Sequence, residues 1–154
     1  PETDIIYIYS DYKKGEEKPP VHAAAIKARG DWMSGAIDPA SRGRTQDDGS
    51  QLISLYRGQG LKLVEADNGV ESGIFDVYER LCTGRLKVFR TCTGLLEEFR
   101  LYRRDEKGKV VKDNDHIMDA LRYFVKTGTK IAAAKIEHRP SLAIGRASTG
   151  WMGA

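Results

Sequence analysis

Short apolar segments alternate along this chain with amphipathic segments of helical period, and this alternation restricts the fold more than any other feature. Each apolar segment has the length of a strand, and the intervening segments end at glycines as helices commonly do. The predicted strands cover 5–9, 31–38, 61–66 and 86–90, and the main predicted helices cover 21–29, 50–57, 71–81 and 93–102. Strands that alternate with helices favour an α/β fold, a mixed β-sheet flanked by helices.

The length of 154 residues is enough for one domain with an ordinary core. No apolar run is long enough to span a membrane, and nothing resembles a signal peptide. The two cysteines, Cys82 and Cys92, lack the spacing of a zinc site and are expected to be reduced thiols in a cytosolic setting.

Acidic and imidazole side chains lie on the polar side of a predicted helix that starts near Asp113. Asp115 and Asp119 are four residues apart, and His116 lies three residues before Asp119. Like charges at that spacing repel, so the pair favours a counter-charge, for which a divalent metal ion is a natural candidate. Helix capping by Asp115, or an ion pair of Asp119 with Arg122 or Lys126, is the structural alternative. The apolar arc of this helix, predicted to face the core, comprises Ile117, Ala120, Leu121, Phe124 and Val125.

A second acidic position, Asp38, ends the predicted strand 31–38. Proline at the next position cannot continue a β-ladder and disfavours helix for the residue before it, so the carboxylate lies at the tip of the strand. Ligands of α/β domains bind at the carboxyl ends of strands. The loop that follows carries Arg42 and Arg44, whose guanidiniums suit phosphate oxygens. A simple turn, in which Asp38 accepts a bond from its own backbone, is the alternative.

The net charge of +3 is modest and unevenly placed. From Lys126 onward five basic side chains stand against one acidic one, so the preceding part is close to neutral. Because this part of the chain is nearly neutral, it is not expected to bind polyanions over its whole surface. Any contact with DNA would have to be made through local basic patches. Besides the arginine loop, a predicted hairpin over 103–111 is a candidate DNA contact, through Arg103, Arg104, Lys107 and Lys109.

A strand-end Asp-Pro-Ala-Ser (38–41) followed much later by Asp-His-x-x-Asp-Ala-x-Arg-Tyr (115–123) resembles the C-terminal nuclease domain of the terminase large subunit of tailed bacteriophages. The resemblance covers about 5–126. It implies a ribonuclease-H-like fold and a metal-dependent DNA endonuclease that takes part in genome packaging. No Walker-type glycine-rich loop is present, so an ATPase motor would belong to another region.

The resemblance also implies roles for particular residues. Asp38 and Asp119 would be catalytic carboxylates that bind two Mg²⁺ or Mn²⁺ ions, and His116 would assist beside the metal site. From the chemistry of such a site we further expect Asp115 to add an outer ligand or to draw in metal-bound waters. The chain departs from the pattern at its start, because the family's first catalytic Asp lies on a strand for which this sequence has no counterpart. We therefore expect the fold to lack its first strand and one metal ligand.

The predicted organisation is a nuclease domain over 1–127 and a flexible basic C-terminal tail over 128–154. The resemblance implies double-stranded DNA, a terminase ATPase domain, a small subunit and, through the tail, a portal ring as partners, with no membrane. It places the protein in the host cell cytoplasm and outside the mature virion. Two alternatives remain: a non-catalytic DNA or portal docking module, and another ribonuclease-H-like nuclease such as a transposase or junction resolvase.

Overall fold

Four strands and six α-helices form the part of the chain that the computed structural model describes, residues 4–43 and 51–133. The strands are β1 (Ile6–Ile8), β2 (Ser34–Ile37), β3 (Lys62–Glu65) and β4 (Leu86–Val88). The helices are α1 (Pro19–Lys27), α2 (Leu52–Gly58), α3 (Val70–Cys82), α4 (Thr93–Leu101), α5 (His116–Tyr123) and α6 (Thr129–Ile131). A 3₁₀ turn at Pro39–Arg42 follows β2, and a π-helical stretch, Phe124–Gly128, joins α5 to α6. The predicted alternation of strands and helices is confirmed.

The strands pair in two parallel ladders. Strand β1 pairs with β4, and β2 pairs with β3. Within residues 4–43 and 51–133 these pairs do not join into one sheet. The predicted hairpin is present, since Arg104 and Val110 form an antiparallel bridge and Gly108 takes a positive φ of 76° at its tip. A left-handed backbone at this position is what glycine permits without a side-chain clash.

The main core lies where α3, α4 and α5 pack beside β4. Its buried members are all apolar: Val77, Leu86, Cys92, Leu95, Met118, Leu121 and Val125. Cys92 is fully buried, and burial, with the nearby charge of Asp11, raises the pKa of its thiol. Cys82 is exposed, and neither cysteine is in a disulfide. The core fixes α5, which carries the acidic positions, against two other helices.

A groove separates the two ladders. Strand β1 and Met33 line a cavity of about 400 Å³, and β2 lines an adjoining cavity of about 230 Å³. Ala120 and Phe124 line both cavities and are exposed. The prediction that these two face the core is therefore wrong, whereas Leu121 and Val125 are buried as predicted. The apolar arc of α5 is wider than its contact with α3 and α4, so part of it faces the groove.

Helical structure continues past the predicted domain boundary at residue 127, as far as Ile131. The rest of the predicted tail, from residue 134, lies outside the described residues. In the described part of the chain, no helix has the length and apolar character needed to cross a bilayer.

Candidate functional site

Asp38 lies immediately after β2, at the strand tip as predicted. Its Oδ1 accepts a hydrogen bond from the backbone N–H of Ala40 at 2.8 Å and caps the 3₁₀ turn. The carboxylate is half-buried. The predicted turn, in which Asp38 accepts a hydrogen bond from its own backbone, is thus confirmed for one carboxylate oxygen. This hydrogen bond fixes the Asp38 side chain at the carboxyl end of β2.

Asp115 and Asp119 lie one turn apart at the start of α5. Asp115 holds the N-cap position, but its side chain makes no capping hydrogen bond to this helix, so the capping interpretation does not hold for it. Its residue is only 5% exposed, and its Oδ2 makes no hydrogen bond within the described residues. Burying a carboxylate oxygen without a hydrogen bond is costly and favours a cation beside it.

Lys112 supplies that positive charge in this structure. Its Nζ lies 3.0 Å from Oδ2 of Asp115 and 3.1 Å from Oδ2 of Asp119, where it donates a hydrogen bond. The contact with Asp115 is an ion pair, since it does not have the geometry of a hydrogen bond. The contact with Asp115, followed by that with Asp119, raises the pKa of Lys112 against partial desolvation of the ammonium. One ammonium therefore forms ion pairs with both carboxylates.

The other oxygen of Asp119 is held by Arg122. Nε and one terminal nitrogen of the guanidinium donate to Oδ1 at 3.1 and 2.7 Å. Arg122 is 2% exposed and stacks on the ring of Tyr123, 5.1 Å from its centroid. The predicted ion pair with Arg122 is therefore confirmed, whereas Lys126 pairs with Asp67. A buried two-point contact of this kind fixes the orientation of the Asp119 carboxylate.

Tyr123 is a buried tyrosine on α5 whose ionisation responds to two of the acidic positions. Burial raises the pKa of its phenol, and the next causes are hydrogen bonding and charge from Asp38, then the charge of Asp119. In the structure the hydroxyl donates its proton to Oδ1 of Asn68 at 3.2 Å, so Asp38 acts on the phenol chiefly through its charge. The contact of β2 with α5 brings the strand that ends at Asp38 close to the helix that carries Asp119, although the two residues are far apart in the sequence.

Glu98 of α4 caps the acidic helix. It is 3% exposed, and its Oε2 accepts from the backbone N–H groups of Ile117 at 2.6 Å and Met118 at 3.2 Å. Lys13 donates to its Oε1 at 2.7 Å. Sequence analysis did not single out Glu98. The available signal was its position between Leu95 and Tyr102 on the inner face of α4, where an acidic residue needs buried partners.

His116 is the first residue of α5 and is exposed. It lines the groove together with Asp11, whose Oδ2 accepts from the backbone N–H of Leu95 at 2.8 Å. Asp119 does not line that cavity. His116 therefore faces the groove, and its role beside a metal stays a prediction.

The predicted DNA contacts differ in their surroundings. Arg42 forms an ion pair with Glu65 at the end of β3, and Arg104 forms a two-point ion pair with Glu71 of α3, at 3.0 and 2.7 Å. Arg103, Lys107 and Lys109 have exposed side chains on the hairpin, and Arg44 lies outside the described residues. The Arg104 pair ties the hairpin to α3, so this arginine anchors the hairpin.

Among the residues that the structure describes, no three His, Cys, Asp or Glu side chains converge tightly enough to hold a metal ion by themselves. Asp115 and Asp119 form a pair around Lys112, and Asp38 ends β2, which contacts α5. Carboxylate oxygens are the donors that Mg²⁺ and Mn²⁺ prefer, and within the same residues the buried oxygen of Asp115 lacks a hydrogen bond. The donor chemistry therefore fits a hard divalent cation, with an incomplete set of ligands.

An α/β domain with an acidic residue at a strand tip and an acidic pair on a packed helix is the arrangement expected of a ribonuclease-H-like domain. The family model of the terminase RNaseH-like domain matches residues 1–127, and the chain belongs to that family. The predicted family and fold class are confirmed.

Curated relatives and solved structures agree with this assignment. The large terminase subunits of Salmonella phage P22 and Enterobacteria phage LP7 are each 35% identical over 129 residues, covering 79% of this chain. The chain spans about a quarter of their length, 26% and 27%. The P22 large terminase nuclease domain superposes with a TM-score of 0.69 at 34% identity, covering 83% of this chain and 69% of that one. The large terminase of a thermophilic bacteriophage, in complex with ATP-γ-S, gives 0.59 at 26% identity, covering 71% and 28%.

Proposed function

We propose that this chain is the metal-dependent endonuclease domain of a phage large terminase, which cuts concatemeric double-stranded DNA during genome packaging. The observation that carries the proposal is the contact of β2, which ends at Asp38, with α5, which carries Asp119. This contact supports a shared site for the two carboxylates, as do the charges of Asp38 and Asp119, which both raise the pKa of Tyr123. The similarity to the P22 large terminase nuclease domain supports the same activity.

Asp38, Asp119 and Asp115 are the proposed ligands of Mg²⁺ or Mn²⁺. Two such ions, when bound, supply an activated water and stabilise the charge on the phosphoryl group and the leaving oxygen. The protein contributes fixed positions for the carboxylates. The cap at Ala40 holds Asp38, and the guanidinium of Arg122 holds Asp119.

A further carboxylate would complete the ligand set, and the groove between the ladders is a suitable place for the strand that carries it. Strands β1 and β2 each pair on one edge only within the described residues. Both line the groove, and the exposed side chains of Tyr7, Trp32 and Phe124 give it apolar walls. A strand placed there would connect the two ladders and end beside the acidic helix.

His116 faces the groove, where it would act on a group bound between the ladders without touching Asp119 directly. An imidazole can take up or release a proton near neutral pH, which suits the movement of a proton to or from a bound water.

DNA would approach over the hairpin. Arg103, Lys107 and Lys109 are exposed there, and the Arg104–Glu71 pair holds the hairpin beside α3. Arg42 and Arg44 follow the Asp38 strand tip and would contact phosphates on the other side of the site. These contacts are local, as the near-neutral body of the chain requires.

The proposed partners follow from the relatives. The large terminase of the thermophilic bacteriophage forms a complex with ATP-γ-S, which supports an ATPase domain in the same polypeptide as the nuclease. A small subunit, a portal ring contacted by residues 128–154, and a location in the host cytoplasm outside the mature virion complete the proposal.

Mn²⁺ binding tests the site directly. Calorimetry and electron paramagnetic resonance on this chain should show binding that weakens at least about 10-fold in Asp38→Asn and in Asp119→Asn, because a charged ligand is removed. Asp113→Asn is the matched control: this carboxylate is exposed shortly before α5 and accepts a hydrogen bond from the Asn114 side chain. Equal affinity in all four proteins would contradict the proposal.

A non-catalytic docking module is the second candidate, because both oxygens of Asp119 are already held by Lys112 and Arg122. Cleavage of supercoiled plasmid in Mn²⁺ by a chain extended to the length of its relatives separates the two. If the extended chain binds metal but does not cut DNA, the non-catalytic docking module is the better account. The family match makes a transposase or junction resolvase the weaker alternative.

A further inference from the structure

The acidic pair on α5 already holds a cation, and that cation belongs to the protein. The Oδ2 atoms of Asp115 and Asp119 both lie close to the Nζ of Lys112, at 3.0 and 3.1 Å. Like charges one helical turn apart repel, and a single ammonium between them removes this repulsion.

The two basic partners of Asp119 are held very differently. The side chain of Arg122 is 3% exposed and its guanidinium is fixed by two hydrogen bonds and by the ring of Tyr123. The side chain of Lys112 is 60% exposed. A lysine ammonium is a compact charge on a flexible stem, and exposed ion pairs contribute little free energy. Lys112 is therefore the partner that can leave.

We propose that Lys112 is an exchangeable internal cation, which occupies the position of a divalent metal ion between Asp115 and Asp119 and is displaced when the metal binds. The inference rests on the proposed function, since it assumes that this pair contributes metal ligands. The ammonium of Lys112 and a divalent ion require the same two oxygens, so they cannot both occupy the position between Asp115 and Asp119. In the metal-free protein Lys112 preserves the geometry of the acidic pair.

Release of Lys112 would also affect the hairpin, because Lys112 directly follows its second strand. The residue before Lys112, Val111, closes the hairpin by donating its N–H to the carbonyl of Arg103 at 3.0 Å. Metal occupancy would therefore remove a contact between the end of the hairpin and the acidic pair, next to the exposed cations that we assign to DNA contact.

Substitution of Lys112 tests the exchange. Lys112→Met should tighten Mn²⁺ binding about 3- to 10-fold, because the competing charge is gone. Lys62→Met removes the same charge from the exposed face of β3, away from the acidic pair, and should change the affinity less than about 2-fold. Lys112→Arg keeps the charge in a form that pairs more firmly with carboxylates and should weaken Mn²⁺ binding.

Two readouts follow the exchange without any cleavage assay. Metal-free Lys112→Met should melt at a lower temperature than wild type and gain more in Tm from saturating Mn²⁺, since the metal then replaces the missing cation. In wild type, the reaction of Lys112 with an amine-acetylating reagent, followed by mass spectrometry, should rise when Mn²⁺ is added, whereas that of Lys62 on β3 should not.

The outcomes separate this inference from the proposed function. If wild type binds Mn²⁺ through Asp38 and Asp119, but Lys112→Met binds it no more tightly, Lys112 does not compete and the exchange is wrong. If neither wild type nor Lys112→Met binds Mn²⁺, the metal site itself is wrong, and the proposed function fails with it.

Discussion

The buried carboxylate of Glu98 accepts a hydrogen bond from the backbone N–H of Ile117 at 2.6 Å, so one helix of the core caps the helix that carries the acidic pair. The same oxygen accepts from Met118, and Lys13 neutralises the carboxylate. A negative charge at this helix end is favoured by the helix dipole and by the free N–H groups of the first turn. The position of Asp115 and Asp119 thus depends on a residue from another helix.

Replacing Glu98 with alanine should lower the free energy of unfolding by about 2 to 3 kcal/mol, because two charge-assisted hydrogen bonds and a helix cap are lost together. Glu98→Gln keeps an acceptor oxygen and should cost about 1 kcal/mol. Urea unfolding measures both. Glu97→Ala, at the neighbouring position outside the buried cap, is the control and should change stability by less than about 0.5 kcal/mol. Equal effects at the two positions would show that the cap does not stabilise the fold.

Asp119→Ala should destabilise the chain by about 2 to 3 kcal/mol, since it leaves the buried guanidinium of Arg122 without its carboxylate. Substitution of Arg122 by methionine in the same chain should recover part of this loss, because the stranded charge is then removed. A double-mutant cycle from thermal unfolding measures the coupling. Strictly additive effects would mean that the ion pair contributes nothing.

The pKa of Tyr123 reports whether the Asp38 carboxylate lies close to the Tyr123 phenol. Asp38→Asn and Asp119→Asn should each lower that pKa toward the value set by burial alone, because each removes a negative charge that opposes ionisation of the phenol. Absorbance at alkaline pH, taken as a difference from Tyr123→Phe, isolates this tyrosine from the others. No shift in Asp38→Asn would place that carboxylate away from Tyr123 and remove one support for a shared site.

The same raised pKa makes a contribution to stability that depends on pH. The native state holds the phenolic proton more tightly than the unfolded state, whose ordinary value is 10.0. This contribution is complete below pH 10.0 and is lost as the pH rises through the native pKa. Tyr123→Phe should therefore unfold with a weaker pH dependence above pH 10.0 than wild type, which alkaline denaturation can measure.

The hairpin should loosen in acid. Hydrogen bonding and charge from Arg104 lower the pKa of the Glu71 carboxyl below its ordinary value of 4.5. The anchor to α3 is therefore complete above pH 4.5 and is lost as the pH falls through the lowered pKa. Amide hydrogen exchange at Gly108 and Lys109, corrected for intrinsic rates, should accelerate over that range in wild type. Glu71→Gln should show fast exchange already at neutral pH; slow exchange there would rule out the anchor.

When Lys107 and Lys109 are both replaced by glutamine, the slope of log affinity for duplex DNA against log salt concentration should fall in magnitude by about 2. Each lysine that neutralises a phosphate releases about one counterion. Fluorescence anisotropy at several salt concentrations gives the slope. Lys62→Gln, on the exposed face of β3, is a control that also removes lysine charge and should leave the slope unchanged. A comparable fall for Lys62→Gln would show that the hairpin has no special role.

Sequence periodicity predicted the order of strands and helices well, because each element is stabilised by its own apolar pattern and ends at its own glycine or proline. Asp38 at the tip of β2 is an example: Pro39 ends the strand regardless of what packs around it. The hairpin, with Gly108 at its tip, is another. The apolar arc of α5 was only partly correct, because a period reveals which side chains share a face but not whether another element covers all of that face.

The sequence by itself determined the α/β order, the family and the acidic positions, since these depend on local patterns and on short motifs. Only the tertiary structure decided which other partners hold the acidic helix: Lys112 between Asp115 and Asp119, and Glu98 at the start of α5. The Asp119–Arg122 pair lies within one helix and could be predicted from its spacing, whereas the packing of α4 against α5 brings Glu98 within hydrogen-bonding distance of Ile117. A contact between residues that are distant in the chain is fixed by that packing, which no local pattern encodes.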